Sequence, residues 1–176
     1  MARCYGVCMK ELFNQFGWRL TLEEAPLPDG KQKKKVVRVH RCDSVHILAF
    51  PTPSTILLLR EFRPFYKTYI WMLPSGRVDK EHDIEAAAQR ELQEETGFSA
   101  KSLERYCSTK HSESMDFTNH IFVAKDLVND PLEKDEDELM EVHEMSLEEA
   151  IEKVLGSAVV HTTSAYALLR YTREHP

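Results

Sequence analysis

The stretch from residue 76 to residue 98, GRVDKEHDIEAAAQRELQEETGF, limits what this chain can fold into more than any other. Asp83 has a side chain suited to a helix N-cap, and Gly97 suits the left-handed conformation that ends many helices. No proline or glycine lies between these two residues, so one helix is predicted there. Apolar residues recur within it at intervals of four and predict a face turned towards a core: Ile84, Ala88 and Leu92.

The same helix carries three glutamates, Glu91, Glu94 and Glu95, within little more than one turn. Their spacing of three and four residues brings the carboxylates together on one face, where like charges repel. Carboxylate oxygens suit Mg²⁺ or Mn²⁺, ions that keep several waters and share their remaining positions with phosphate oxygens. The face is therefore either a divalent-metal site or a solvated acidic surface of the kind that many helices have.

Fixed spacing around these glutamates favours the metal site. The stretch resembles the Nudix box, in which a glycine, five residues, a glutamate and seven residues precede Arg-Glu-apolar-any-Glu-Glu-any-Gly-apolar. Eight of its nine defined positions match in register: Gly76, Arg90, Glu91, Leu92, Glu94, Glu95, Gly97 and Phe98. A pattern of this length is far more specific than a short motif, so the chain is identified as a Nudix hydrolase.

One position departs from the pattern, because His82 stands where the box has its first glutamate. A neutral imidazole binds Mn²⁺ but is a poor ligand for Mg²⁺. The departure predicts lower activity or a shifted metal preference, unless a neighbouring carboxylate compensates. The candidates for that role are Asp79, Glu81 and Asp83. Because the other glutamates are present, a working enzyme is expected.

The length of 176 residues suits one domain with a core of its own. No apolar run approaches the ~20 residues that span a bilayer, and the first residues lack the apolar segment of a secretion signal. A cytoplasmic protein without a membrane partner is therefore expected. The four cysteines have no framework spacing and are expected to be reduced: Cys4, Cys8, Cys42 and Cys107.

Charge is distributed unevenly around a net value of −6. Residues 1–75 contain 12 Lys+Arg and 6 Asp+Glu, a balance of +6, whereas residues 76–176 contain 11 and 23, a balance of −12. Cations are thus expected in the second half, and phosphates near the first. Four lysines near a predicted turn lack interleaved aromatic residues, so they indicate a solvated hairpin edge and no nucleic-acid partner: Lys31, Lys33, Lys34 and Lys35.

Apolar runs and alternation predict the remaining elements. The predicted strands cover residues 18–24, 31–41, 45–50, 55–59, 104–107, 120–124 and 139–145. The first two flank a turn signal and form a hairpin, and residues 126–137 are predicted to be an acidic loop. Ser146 begins a helix that Gly156 ends, and a last helix covers residues 162–174. Strands interleaved with helices predict an α/β layered domain.

Two further segments extend the resemblance: Arg60-Glu61-Phe62-Arg63-Pro64 and Leu73-Pro74-Ser75-Gly76. With the hairpin and the acidic loop they resemble the ADP-ribose pyrophosphatase branch of the Nudix hydrolases. This resemblance implies an α/β/α sandwich with a mixed sheet and an N-terminal antiparallel hairpin, in a single domain over residues 1–176. It also implies a homodimer formed through strands in residues 1–42, with the catalytic core in residues 43–176.

The implied reaction is metal-dependent hydrolysis of the diphosphate bond of a nucleoside diphosphate sugar, with Mg²⁺ or Mn²⁺. ADP-ribose, giving AMP and ribose 5-phosphate, is the first choice of substrate. GDP-mannose, dinucleoside polyphosphates and capped RNA remain alternatives within the family. A non-catalytic nucleotide-sensing Nudix module is an alternative of another class, which His82 favours and the three remaining glutamates oppose.

The resemblance also assigns roles by position. The main-chain carbonyl of Ser75 and four carboxylates are implied metal ligands: Glu91, Glu94, Glu95 and Glu138. Glu94 is alternatively a supporting catalytic carboxylate, and Arg90 is implied to orient the box carboxylates. Glu136 is implied to take the proton from the attacking water, with Glu141 as the alternative base.

Substrate contacts are expected for Arg63, whose planar fork suits phosphate oxygens, and for Arg38, Trp18 and Glu113. An exposed strand-end charge is the alternative for Arg63. Glu113 lies in a loop that is implied to close over the substrate, and an ordinary polar loop is equally compatible. Five aromatic residues offer a stacking platform, although aromatic residues beside strands are more often core: Trp18, Phe65, Tyr66, Tyr69 and Trp71.

Overall fold

The computed structural model describes residues 8–30, 33–78, 83–133 and 139–176. They divide between two compact units. One contains the residues up to Asp43 together with Lys110–Thr118, and the other contains Ser44–Thr109 and Asn119–Pro176. None of the described helices is long and apolar enough to cross a membrane.

Where the structure describes the first unit, it is a four-stranded sheet. Its strands are β1 (Cys8–Gln15), β2 (Trp18–Pro26), β3 (Lys33–His40) and β9 (Met115–Asp116), in the order β1-β2-β3-β9. The first three pair antiparallel, and β9 lies parallel to β3. Gly30 turns the chain towards β3 at φ +67°, and its amide donates to the Leu27 carbonyl at 2.9 Å. The predicted hairpin is confirmed, whereas β1 and β9 were not predicted.

Two sheets are formed by the part of the second unit that the structure describes. The first is mixed, has the order β7-β4-β10-β8 and consists of β4 (Ser44–Ala49), β7 (Ser75–Arg77), β8 (Phe98–Thr109) and β10 (Asn119–Asn129). Within it β4 and β10 are parallel and the other pairs antiparallel. The second is antiparallel, has the order β11-β5-β6 and consists of β5 (Thr55–Arg63), β6 (Thr68–Met72) and β11 (Met140–Ser146).

The described residues of this second unit form three helices: α1 (Ile84–Thr96), α2 (Leu147–Leu155) and α3 (Thr162–Glu174). The Asp83 side chain caps α1 by accepting a hydrogen bond from the Glu85 amide at 3.0 Å, and Gly97 ends the helix at φ +81°. Ser146 begins α2 in the same way, with its hydroxyl oxygen 3.2 Å from the Glu149 amide. All three helices lie where the sequence pattern predicts them.

Alternation along β4 places helices on both faces of the mixed sheet. On one face Ile47 packs with Leu92 of α1 in a fully buried cluster. On the other face Leu48 packs with Val154 of α2 and Leu168 of α3. Burial of each such side chain contributes about 2 kcal/mol to folding, so the helix layers are held mainly by these contacts. The predicted α/β/α sandwich with a mixed sheet is confirmed.

Four strands are longer than predicted: β2 and β5 continue to Pro26 and Arg63, and the larger extensions are in β10 and β8. β10 continues through Asn129, so residues 126–129 are strand and not part of the predicted loop. β8 covers Phe98–Thr109 and not only residues 104–107. Both segments have many polar side chains and so lack the apolar alternation of a predicted strand. The two strands nevertheless pair with one another as far as Asn129 opposite Phe98. Main-chain pairing therefore overrides the weak local preference for strand.

Candidate active site

The glycine turn and the acidic helix meet at β7. This short strand pairs with β4, where Gly76 lies opposite Val45 and Ser75 lies opposite His46. Glu91 and Glu95 are one helical turn apart on α1, so both side chains leave the helix on the same side. That side of the helix lies against β7, which places two box glutamates beside the box glycine.

Glu91 lies directly over Gly76. A Cβ atom on residue 76 would overlap with the Cδ atom and both carboxyl oxygens of Glu91. Gly76 is not one of the glycines with a positive φ, so its backbone conformation does not require glycine. The close approach of the carboxylate demands it instead, because any side chain would displace Glu91.

Arg90 holds two of the three glutamates. Its Nη2 atom lies 2.8 Å from Glu91 Oε1, and its Nη1 atom donates to Glu94 Oε2 at 2.5 Å. Nη2 also donates to the main-chain carbonyl of Arg77 at 3.2 Å. The Arg90 side chain is only 14 % exposed, so these interactions are weakly screened by solvent. One guanidinium thus offsets the repulsion between neighbouring carboxylates and ties α1 to the end of β7.

Glu95 anchors the main chain of Ser75. It is buried, and its Oε2 atom accepts a hydrogen bond from the Ser75 amide at 2.7 Å. A charged acceptor strengthens this bond, so the carboxylate and the start of β7 are held together.

The donor set fits a divalent ion of the Mg²⁺ type. No three Asp, Glu, His or Cys side chains within the described ranges converge closely enough to enclose an ion. Mg²⁺ does not require such a cage, because it takes one or two carboxylates and completes its shell with waters and substrate phosphates. The space over Gly76 already holds the carboxylate of Glu91, and Glu95 is fixed beside it through Ser75.

Five of the predicted site positions lie outside the described residues: Asp79, Glu81, His82, Glu136 and Glu138. The alternative base, Glu141, lies on β11 and is exposed. It forms hydrogen bonds with His143 at 3.2 Å and Arg60 at 3.1 Å, and these lower the pKa of the Glu141 carboxyl below its usual range. A carboxylate with reduced proton affinity is a weaker base near neutral pH, so Glu136 stays the preferred prediction.

Arg63 ends β5 and is anchored on one side. Its Nη2 atom lies 2.7 Å from Glu61 Oε2 and 3.1 Å from Met72 Sδ. Glu61 is buried, whereas the Arg63 side chain keeps 38 % of its surface exposed. The guanidinium therefore has a fixed edge and an open edge. Glu61 was not predicted as a site residue, although its spacing of two from Arg63 places both on one face of the strand.

Arg38 lies in the first unit, where it binds the segment 110–118 to β3. Its Nη2 atom lies 2.6 Å from Asp116 Oδ1, and its Nε atom donates to the Glu113 carbonyl at 3.1 Å. The side chain of Glu113 forms an ion pair with Lys34. Two of the predicted substrate residues, Arg38 and Glu113, are thus linked to one another within this unit.

Charge pairing around Arg38 lowers two carboxyl pKa values. Burial raises the pKa of Glu23, but hydrogen bonds from Thr21 and Arg38 outweigh that effect and leave the pKa below its usual range. Burial also raises the pKa of Asp116, but the charge of Arg38 and a hydrogen bond from His40 outweigh that effect and leave the pKa below its usual range. His40 lies between the two acids, with Nε2 3.1 Å from Glu23 and Nδ1 2.9 Å from Asp116.

The aromatic residues between β5 and β6 are not core, contrary to the favoured interpretation of the sequence. Phe65 is 99 % exposed and Tyr66 is 59 % exposed. A tight turn explains this, because the Tyr66 amide donates to the Arg63 carbonyl at 3.0 Å and lifts both rings away from the sheet. Trp18 is also exposed, and the Arg41 guanidinium lies 4.9 Å from the centre of its ring.

Known proteins resemble the chain along most of its length. Residues 40–163 match the family model described as NUDIX domain. ADP-ribose pyrophosphatase of Bacillus subtilis (strain 168) is 32 % identical over 165 residues, which cover 92 % of this chain and 89 % of the relative. Methanol dehydrogenase activator of Bacillus methanolicus is 26 % identical over 162 residues, which cover 90 % of this chain and 87 % of the relative.

The fold has a counterpart among solved structures as well. The crystal structure of an ADP compounds hydrolase superposes with a TM-score of 0.76 at 22 % identity and covers 96 % of this chain and 94 % of its own. This likeness shows a shared fold. The family match spans well over half of the sequence and includes the glycine turn and the acidic helix. The chain therefore belongs to the Nudix family.

Proposed function

We propose that this Nudix protein hydrolyses the diphosphate bond of ADP-ribose and releases AMP and ribose 5-phosphate. The observation that carries the proposal is the similarity to ADP-ribose pyrophosphatase of Bacillus subtilis, at 32 % identity over 92 % of this chain. The geometry of the box supports catalysis rather than passive nucleotide sensing, because the carboxylates of Glu91 and Glu95 are both held against β7.

The chemistry requires positive charge and a base. A diphosphate resists attack because its negative oxygens repel an incoming nucleophile. Bound Mg²⁺ or Mn²⁺ would neutralise these oxygens and activate the attacking water. The residues proposed to hold the ions are Glu91, Glu95 and the carbonyl of Ser75, with Glu94 and Glu138 in support. Glu136 is proposed to take the proton from the water.

Other side chains are proposed to orient the reacting groups. Arg90 keeps two box carboxylates in place while it offsets their repulsion. The open edge of the Arg63 guanidinium suits two oxygens of a diphosphate. Trp18 offers an exposed ring for stacking on a base. Arg38 and Glu113 complete the proposed set of substrate contacts.

The proposal is tested by turnover of a substrate panel by the purified full chain, with Mg²⁺ and separately with Mn²⁺. The panel contains ADP-ribose, GDP-mannose, a dinucleoside polyphosphate and capped RNA. We expect metal-dependent release of AMP from ADP-ribose to be the fastest reaction. A higher kcat/KM for another substrate would reassign the enzyme within the family, and no turnover of any of them would overturn the proposal.

Glu95→Gln separates metal binding from folding. A glutamine carbonyl can still accept the Ser75 amide, so the main chain keeps its anchor while the negative charge is lost. We expect turnover to fall by about 100-fold or more because a principal metal ligand is lost. The free energy of unfolding should fall by only about 1 kcal/mol, the difference between a charged and a neutral acceptor. Turnover equal to that of the unsubstituted enzyme would exclude Glu95 as a ligand.

We also propose a cytoplasmic homodimer that is formed through the N-terminal strands. β1 is an edge strand of its sheet, and it exposes the apolar side chains Met9, Leu12 and Phe13. Cys42 and Cys107 are free thiols, and the reducing conditions of the proposed compartment would keep them so. Light scattering of Leu12→Glu should show a lower mass than the unsubstituted protein. Leu155→Glu, an equally exposed site on α2, should not change the mass.

A further inference from the structure

The main chain that precedes the box glycine is anchored by α3. The amide of Leu73 donates a hydrogen bond to Ser164 Oγ at 2.9 Å, and Ser164 has no exposed surface. Proline has no amide hydrogen, so Pro74 cannot donate. The Leu73 amide is therefore the last main-chain donor before Ser75, whose own amide is bound to Glu95.

Three successive residues are thus fixed to three different elements. Leu73 is held by α3 and Ser75 by α1, while the Pro74 carbonyl accepts a hydrogen bond from the Ile47 amide of β4 at 2.9 Å. The proline ring locks φ and restricts the residue before it, so this short segment behaves as a stiff unit. A displacement at Leu73 is transmitted to Ser75 rather than absorbed between them.

His161 orients the hydroxyl group of Ser164. It is the N-cap residue of α3, and its Nδ1 atom accepts a hydrogen bond from the Ser164 amide at 3.4 Å. The same Nδ1 atom lies 2.7 Å from Ser164 Oγ. Because Nδ1 acts as the acceptor, the hydroxyl donates to it and turns a lone pair towards the amide of Leu73.

We infer that Ser164 and His161 are positioning residues for the metal site. They hold the Leu73 amide, and through Pro74 they fix the main chain of Ser75 beside Glu95. The inference rests on the proposed function, in which the Ser75 carbonyl and Glu95 bind the metal. A misplacement of about 1 Å at a reacting centre lowers rates by about 100-fold, so a loose anchor here would have a large effect.

The chain offers a matched control for this anchor. Ser157 Oγ accepts a hydrogen bond from the Trp71 amide at 3.2 Å, which is the same kind of bond to the same segment two residues earlier. The Trp71 amide lies within β6, where the strand itself maintains the main chain. Loss of the Ser157 hydroxyl should therefore leave the main chain of Ser75 in place.

The test compares Ser164→Ala and Ser157→Ala in the full chain without substrate. Mn²⁺ binding is measured by calorimetry, and exchange of the Ser75 amide is measured by NMR. We expect Ser164→Ala to weaken Mn²⁺ binding by about 10-fold and to speed the amide exchange, as is typical when a residue that orients a ligand is lost. Ser157→Ala should change neither quantity. Unchanged Mn²⁺ binding in Ser164→Ala would overturn the inference.

His161→Ala keeps the test decisive if Ser164→Ala does not fold. His161 is only partly buried, and its loss removes the acceptor that orients the Ser164 hydroxyl while the hydroxyl remains. Mn²⁺ binding should weaken by several-fold in this variant. Mn²⁺ binding equal to that of the unsubstituted protein would overturn the inference.

Failure of the inference and failure of the proposed function have different outcomes. If the unsubstituted protein hydrolyses ADP-ribose and both variants bind Mn²⁺ normally, only the inference is wrong. If it does not hydrolyse ADP-ribose but Ser164→Ala still weakens Mn²⁺ binding, the proposed substrate is wrong and the inference stands. If the unsubstituted protein binds no Mn²⁺ and hydrolyses no substrate of the panel with either metal, both are wrong.

Discussion

The carboxyl group of Glu91 occupies the space in which a side chain on Gly76 would begin. The two residues lie on consecutive elements, and the packing of α1 against β7 brings them into direct contact. Arg90 and the rest of α1 fix Glu91 from the helix side. The glycine of the Nudix pattern is therefore required by a carboxylate and not by a turn.

Gly76→Ala should damage the site more than the fold. The three atoms nearest to the added methyl group all belong to the end of the flexible Glu91 side chain, so Glu91 can rotate away while the backbone stays in place. We expect kcat/KM to fall by about 10- to 100-fold, the usual effect of disturbing a metal ligand. The free energy of unfolding, measured with urea, should change by about 1 kcal/mol or less.

Gly30→Ala is the matched control, with the opposite expectation. No atom lies within 4 Å of a Cβ atom built there, but φ is +67° and disfavours any side chain. The variant should lose about 1 kcal/mol of stability while kcat/KM stays unchanged. If Gly76→Ala kept full activity, the contact with Glu91 would have no catalytic importance.

Arg90→Ala should lower activity through the orientation of two carboxylates. Without the guanidinium, Glu91 and Glu94 repel one another, and the link from α1 to the Arg77 carbonyl is lost. We expect kcat to fall by about 10- to 100-fold. Arg90→Lys should recover only part of the loss, because an ammonium group lacks the planar fork that bridges two carboxylates. Steady-state kinetics at saturating Mg²⁺ would measure both effects.

Arg170→Ala provides the corresponding control on α3. Arg170 pairs with Glu174 one helical turn away at 2.8 Å, just as Arg90 pairs with Glu94, but at an exposed position. Its loss also removes a hydrogen bond to Tyr166 at 3.2 Å and the contact with the Tyr106 ring, so it should cost about 1 kcal/mol of stability and leave kcat unchanged. An equal loss of activity in Arg170→Ala and Arg90→Ala would mean that a general weakening of the fold is responsible.

Arg63→Ala should weaken substrate binding specifically. The open edge of this guanidinium is proposed to contact the diphosphate, and such charged hydrogen bonds contribute about 1.5–3 kcal/mol. We therefore expect KM for ADP-ribose to rise by about 10- to 100-fold. Arg60→Ala is the control, because Arg60 lies on the same strand but pairs with Glu141 and stacks on Tyr69. A normal KM in Arg63→Ala would remove this residue from the substrate site.

The helices and most of the buried strands of the second unit could be predicted from the sequence, whereas β6, the polar end of β10 and β1 of the first unit could not. Caps such as Asp83 and Gly97 are local signals, and periodic apolar residues report which face is buried. β1 and the end of β10 lack such periodicity, because their side chains are mostly polar or exposed. These segments are held in the sheet by main-chain pairing instead. Tertiary pairing of this kind leaves no local pattern to read.

The site residues, too, could be predicted only in part from the sequence. Fixed spacing in one helix was sufficient to place Glu91, Glu94 and Glu95, because their relative positions follow from helical geometry. The anchoring of the Ser75 turn was not predictable, since Ser164 reaches it from the far end of the chain. The buried partner of Arg63 was missed for a different reason, because Glu61 in a strand carries no sign of its burial.

The first unit should lose stability in acid through Glu23 and Asp116. Both carboxyl pKa values lie below their ordinary values of 4.5 and 3.8, so the stability they contribute is present at neutral pH and is lost as the pH falls through the lowered values. Thermal unfolding followed by Trp18 fluorescence in a Trp71→Phe background should show this decrease. Asp116→Asn should be less stable at pH 7, because its pairs with Arg38 and His40 are lost, and should lose less stability on acidification. Parallel pH curves for the two proteins would show that Asp116 is not responsible.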